Sequence, residues 1–174
     1  MVNVKRWLRH LFTPPWAWKR AFPPATLEAI ESAIRASETT HLGEIRFAIE
    51  NTLAPSAVWR GMLGRERAIE VFSTLRVWDT EYNSGVLVYL LLADHDIEIV
   101  ADRGIAARVD NSAWEAVAQT MEAAFRQGAF ERGALEGIRQ IGELLATHFP
   151  PGSGPSTSGD NPDELANRPV IIRR

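Results

Sequence analysis

Cysteine is absent from the 174-residue chain. That excludes disulfides, thiolate metal sites and thiol catalysis, and it suits a reducing cytoplasm. No apolar run approaches the roughly 18–20 residues that a membrane-spanning helix needs. The first residues also lack the apolar stretch and small-residue cleavage site of a secretory leader. The expectation is a cytoplasmic protein, at most peripheral at the inner face of the membrane. Catalytic signatures are scarce too. The four histidines (His10, His41, His95 and His148) fall in different segments and none has metal-ligand spacing. Gly152, Gly154 and Gly159 precede neither a lysine nor a helix, which rules out a phosphate loop, and there is no Gly-x-Ser-x-Gly elbow to anchor a hydrolase triad. Acid is missing from residues 1–24, which carry Lys5, Arg6, Arg9, Lys19 and Arg20.

The remainder has the length and apolar content of one globular domain with a real core. Net charge is −3; with +5 in residues 1–24 and zero from Pro150 onward, the middle carries −8. An acidic body argues against nucleic acid as a partner and favours cations or basic partners.

The chain is organised around Gly85 to Gly104, GVLVYLLLADHDIEIVADRG. The run Val86–Ala93 is too short for a bilayer and too abrupt for a helix, so it reads as a strand buried on both faces. Asp94-His95-Asp96 is a turn. Ile97–Ala101 alternates as a second, antiparallel strand of a hairpin. An Asp-x-Asp at a strand end also occurs in aspartyl-phosphate phosphatases, but there a Gly-Thr loop follows, whereas here Ile97 begins another strand at once.

Before this unit, Val4, Trp7, Leu8, Leu11 and Phe12 lie at helical spacing, and Pro14-Pro15 ends that helix. Residues 1–24 form a basic, Trp-rich arm. Its aromatics, Trp7, Trp16 and Trp18, have two readings: docking on the protein itself or a protein partner, or resting on an anionic membrane surface. Thr26–Thr39 is helical. Glu44–Asn51 alternates as a strand whose Glu44, Arg46 and Glu50 face outward, giving one wetter face near a sheet edge or an open patch. Residues 52–63 read as a loop, and Arg65–Leu75 as a helix leading to the buried strand. Strand, helix, strand implies a right-handed parallel crossover.

Ile105–Val109 reads as a short strand or extended link. Ser112 and Glu115 form a capping box for a helix carrying Trp114, Val117, Ala118, Met121 and Phe125. Gly128 ends that helix. A last helix spans Glu131–His148, where Gly133 and Gly137 would admit a close neighbour. Residues 150–174 read as a flexible Pro/Gly/Ser-rich tail; within it, Pro169–Ile172 has the alternative of adding as an edge strand. The domain proper is therefore 25–149.

In a hairpin the entry of one strand and the exit of the next share a sheet end. Asp79, Glu81 and Asn83 should therefore meet Asp102 and Arg103. Two readings follow. One is a salt bridge of Arg103 with Asp79 or Glu81. The other is a site in which Asp79, Glu81 and Asp102 hold Ca²⁺ or Mg²⁺ while Asn83 and Arg103 hold a phosphate or other ligand.

The stretches RVWDTEYNSGVLVYLLL, DIEIVADRGI and the paired helices ending at GIRQIGELL resemble the TPM domain family over residues 26–149. Asn83-Ser84-Gly85-Val86-Leu87 is similar to that family's Asn-Asn-Gly-Val-Leu, and Val100–Ile105 resembles a short bacterial branch. The resemblance implies a single-domain three-layer α/β/α sandwich with a mixed sheet of about four strands. It also implies Ca²⁺ or another divalent cation near the loops at one sheet end, with Asn83, Asp102 and Asp79 as the positions to test. A weak acid-phosphatase activity is implied as well. Better-known members are exported, often membrane-anchored, and carry Gly-Tyr-Gly-Leu in place of Asp102–Ile105; these departures remove a photosystem role and weaken the transfer of phosphatase activity. The residues then favour an accessory or interaction domain that binds a divalent cation and assists membrane-protein or complex maintenance. A divalent-cation-dependent phosphomonoesterase and a peripheral membrane protein are the alternatives.

Overall fold

The buried run is a strand, and every residue of it is out of solvent. A computed structural model describes residues 3–152 and 163–173. In chain order the elements are α1 (Val4–Phe12), α2 (Ala17–Ala21), α3 (Pro24–Glu38), β1 (Glu44–Glu50), α4 (Pro55–Trp59), α5 (Gly64–Thr74) and β2 (Gly85–Leu91). Then follow β3 (Asp96–Ala101), α6 (Arg103–Ala106), α7 (Asn111–Arg126), α8 (Phe130–His148) and β4 (Val170–Ile172). The sheet order is β3-β2-β1-β4. β2 and β4 both run parallel to β1, and β3 runs antiparallel to β2.

Helices cover both faces of the sheet. On one side Leu27, Ile30 and Ile34 of α3, Met121 and Phe125 of α7, and Ile138, Ile141 and Leu145 of α8 pack on Ile45, Phe47, Ile49 and Val88. On the other, Val58 of α4 and Ala68 and Val71 of α5 pack on Ala48, Leu87, Tyr89 and Leu91. β2 contributes to both cores, so it lacks a polar alternation. Truncating Leu87, which is fully buried, would cost about 3 kcal/mol. The architecture is the expected three-layer α/β/α sandwich in one domain.

Several local expectations are corrected. β1 lies next to the edge strand β4, pairing with it through Ala48↔Val170 and Glu50↔Ile172, but its expected wetter face is not wet: Glu44 and Glu50 are buried. The strand option for Pro169–Ile172 is therefore the one realised, although it pairs only over three residues. The linker predicted between Pro150 and Asn161 lies outside the described residues from 153 on. Residues 52–63 contain α4, which begins with Pro55 at its first turn, where a missing N–H costs nothing. Ile105 lies in α6 rather than in a strand or link. The cap of α7 is Asp110, whose side chain accepts from Ser112 N–H at 2.8 Å, so Ser112 is already helical. Gly133 and Gly137 admit α7: a Cβ on Gly133 would lie 2.8 Å from the Ala124 Cβ, and one on Gly137 would meet the Met121 side chain.

The hairpin turn closes through a short 3-10 turn, Leu92–Asp94, and His95 in the left-handed region (φ 51°). Asp94 fastens α1 to this turn. Arg6 Nε donates to Asp94 Oδ2 at 2.8 Å, and Arg9 reaches Oδ1. His10 Nε2 lies 3.1 Å from Oδ2. Because Leu53 N–H donates to His10 Nδ1 at 3.0 Å, the imidazole is the Nε2–H tautomer. Burial by itself would raise the Asp94 carboxyl, but hydrogen bonds from His10 and Arg6 reverse this and hold it well below the usual range.

Candidate metal centre

Because β1, β2 and β4 are parallel, one sheet end gathers the starts of β1 and β2 and the exit of β3. Here the two predicted clusters partly meet. Arg103 Nε donates to Asn83 Oδ1 at 3.0 Å, and Asp102 N–H donates to the Gly85 carbonyl at 2.9 Å. Asn83 itself is left-handed (φ 50°), a conformation its short polar side chain tolerates. A Cβ on Gly104 would lie 2.6 Å from the Asn83 carbonyl oxygen, so only glycine lets these two corners close on each other. Asp102 is buried; its Oδ1 accepts Arg103 N–H, and its Oδ2 has no partner.

Asp79 and Glu81 do not join this corner. Asp79 is exposed and lies 4.0 Å from Arg76, and the Glu81 N–H is held by the Glu164 carboxylate at 3.1 Å. Among the described residues neither makes an ion pair with Arg103. Of the set Asp79–Glu81–Asp102, only Asp102 places a buried, unpartnered oxygen at this corner, while Asp79 and Glu81 are exposed. That is a poor fit for a divalent ion.

The same sheet end holds a second group of acids, which sequence spacing did not single out. Glu38 closes α3, Glu44 opens β1, and Asp163 precedes β4. One oxygen from each lies within 4.8 Å of the others. Glu38 and Glu44 are buried, 7% and 0% exposed. Glu38 Oε1 accepts Ile45 N–H at 2.8 Å, and Glu44 Oε2 accepts Leu165 N–H at 3.1 Å. Glu44 Oε1 is buried without a partner. So is Oδ1 of buried Asn167, whose side chain hydrogen-bonds Glu38. Ser84, whose carbonyl accepts Glu44 N–H at 3.0 Å, also has a buried, unpartnered Oγ.

The electrostatics follow from that packing. Burial, opposed by the Ile45 N–H and reinforced by the Glu44 and Asp163 charges, pushes Glu38 up to about 8. Burial, reinforced by Asp163 and Glu164, pushes Glu44 up to about 7. Among the described residues no lysine or arginine forms an ion pair with Glu38, Glu44 or Asp163. An all-oxygen donor set with orphan lone pairs suits a hard cation. Two ligands on one Ca²⁺ stand at most roughly 5 Å apart, since each bond is 2.3–2.6 Å. The chemistry of this donor set fits a hard divalent ion, and its residues are not the ones that the sequence picked out.

Comparison with protein families matches the TPM domain over residues 19–144. The chain belongs to the TPM domain family. Among solved structures this TPM chain is similar to the BA42 protein of the psychrophilic bacterium Bizionia argentinensis, determined by NMR. The two share 31% identity with a TM-score of 0.72, over 85% of this chain and 93% of that one. Comparison with curated proteins finds no match. Glu38 and Glu44 lie inside the matched TPM segment; Asp163 and Asn167 lie beyond it. Only the position of Glu38 at a helix end and of Glu44 at a strand start could have signalled the cluster, because Asp163 returns from more than a hundred residues away.

Proposed function

We infer that this TPM domain is a cation-responsive accessory module that binds a divalent ion, calcium in the first instance, through Glu38, Glu44 and Asp163. Asn167 Oδ1 supplies a further oxygen. The observation that carries the reading is a pair of buried carboxylates beside Asp163, with orphan oxygens on Glu44 and Asn167 and, among the described residues, no lysine or arginine paired with them. A bound ion would neutralise them and tie the segment 163–173 to the starts of α3's loop and β1. In that role the module serves partner proteins at membranes or in complexes. The phosphomonoesterase alternative needs Asp79 and Asp102 on one metal and Arg103 on phosphate. With Asp79 beside Arg76 and Arg103 on Asn83, the geometry favours binding over hydrolysis.

Calorimetric titration of the full chain with CaCl₂ at pH 7 tests this. Binding should release protons, because the site's carboxyls are partly protonated before the ion enters. Glu44→Gln and Glu38→Gln should each weaken affinity by about ten-fold or more while circular dichroism stays unchanged. Equal affinity in wild type and both variants would remove this site, wherever else calcium bound.

A further inference from the structure

α1 is amphipathic in reverse. Its polar side, Arg6 and His10, faces the protein, where Asp94 gathers them together with Arg9. Its apolar side looks outward: Val4 is 58% exposed, Leu8 40%, Leu11 46% and Phe12 74%. At 100° per residue these four form one continuous stripe. Trp7 closes one border, edge-on to Trp59 with ring centroids 6.3 Å apart, and Lys5 and Arg9 line the other. Trp16, 59% exposed, extends the patch past the end of the helix. Beside it opens a cleft lined by Trp16, Trp18, Lys19, Ile172 and Arg173, whose charged groups are all cationic.

Burying α1 the other way round would hide the stripe, yet it would leave Asp94 unpaired in a site only 9% exposed. The buried ion-pair hub therefore fixes an orientation that presents hydrocarbon to the outside. We propose that this face docks on an anionic lipid bilayer, the stripe Val4–Leu8–Leu11–Phe12 and Trp16 entering the interface while Lys5, Lys19, Arg20 and Arg173 sit at the phosphate level. Charge selects this occupant. Residues 3–24 hold no acid, and with Arg6 and Arg9 held by Asp94 the cations Lys5, Lys19 and Arg20 are left, so a second copy of the same face would bring like charges together. An interfacial aromatic beside basic side chains is the composition that headgroups attract. The surface is distinct from the cation site and does not depend on it.

Flotation of the full chain with vesicles tests the proposal: phosphatidylcholine alone, and phosphatidylcholine with one-quarter phosphatidylglycerol. The wild type should float with the anionic vesicles and not with the neutral ones, and be released by roughly 0.5 M salt. Leu8→Asp with Phe12→Asp should cut the floated fraction about ten-fold. Both positions are exposed, so the fold should survive, and near-ultraviolet circular dichroism checks that it does. Blue-shifted tryptophan emission on anionic vesicles, reduced in Trp16→Phe, is the second readout. No flotation with anionic vesicles, flotation unchanged in the double variant, or equal flotation on neutral vesicles overturns the proposal. So does a dimer in sedimentation that the double variant abolishes, with no flotation.

Discussion

Glu44 and Glu50 are the same residue type, on the same strand and the same side of the sheet, six positions apart, and both are buried. Their environments are opposite. Glu50 accepts Tyr89 Oη at 2.7 Å and is gripped by Arg67 Nε at 2.8 Å and a second guanidinium nitrogen at 3.2 Å. The proximity of that carboxylate, after burial itself, pushes the Tyr89 phenol far up, so it stays a donor. Glu44 has only backbone N–H groups, those of Leu165 and Glu164, and a buried Oε1 without a partner, with Asp163 and Glu164 as the nearby charges. A buried charge gripped by a guanidinium and a phenol is part of the scaffold; one held by backbone N–H groups alone is the kind that the proposed cation would serve.

Three experiments press on that contrast. The largest effect should come from Glu50→Ala, which leaves Arg67 and Tyr89 without their acceptor; denaturant unfolding should show a loss of about 3–4 kcal/mol whether or not calcium is present. A loss that calcium repaired would make the two glutamates alike and erase the distinction.

Next is pH. Glu38 and Glu44 are raised above the usual carboxylate value of 4.5, to about 8 and about 7. The folded state then holds more protons than the unfolded one across that window. Without calcium, this contribution to stability should be full below about pH 4.5 and be lost as pH rises through 7 and 8, on the order of several kcal/mol in total. Calcium bound as proposed would stabilise the ionised pair, so its effect on the melting temperature should grow over the same range. A calcium effect constant from pH 5 to 8 would show that these carboxyls are not its ligands. The smallest effect is Glu44→Gln without calcium: removing the charge from a site with no counter-ion should stabilise by about 1 kcal/mol, where the same change at Glu50 would destabilise.

The buried strand and its hairpin were legible because burial on both faces erases alternation, and nothing but β2 reads that way. The burial of β1's acids was not. Its Glu44, Arg46 and Glu50 mimic a wet face, but their partners are Leu165 N–H, the carbonyls of Ala166 and Arg168, and Arg67 with Tyr89. Alternation records polarity and not who satisfies it. The reversal of α1 was hidden for the same reason: a single acid, Asp94, turns the cations inward. Asn83 and Arg103 were found together because a hairpin constrains them locally. Asp79 and Glu81 escaped because the loop before β2 turns them to solvent and to Glu164. The Glu38–Glu44–Asp163 cluster joins a helix end, a strand start and a returning segment, a combination without a local spacing.

β4 lends a last consequence. It spans only three residues, yet it lies along the backbone of β1 that would otherwise be bare on one side. Arg46, donating to the Arg168 carbonyl at 2.8 Å, fastens it there. A chain lacking this segment would keep its helices and hydrophobic interior but offer a ready template of open amides to its neighbours. The few residues at Val170–Ile172 thereby serve as insurance against self-association, far out of proportion to their length.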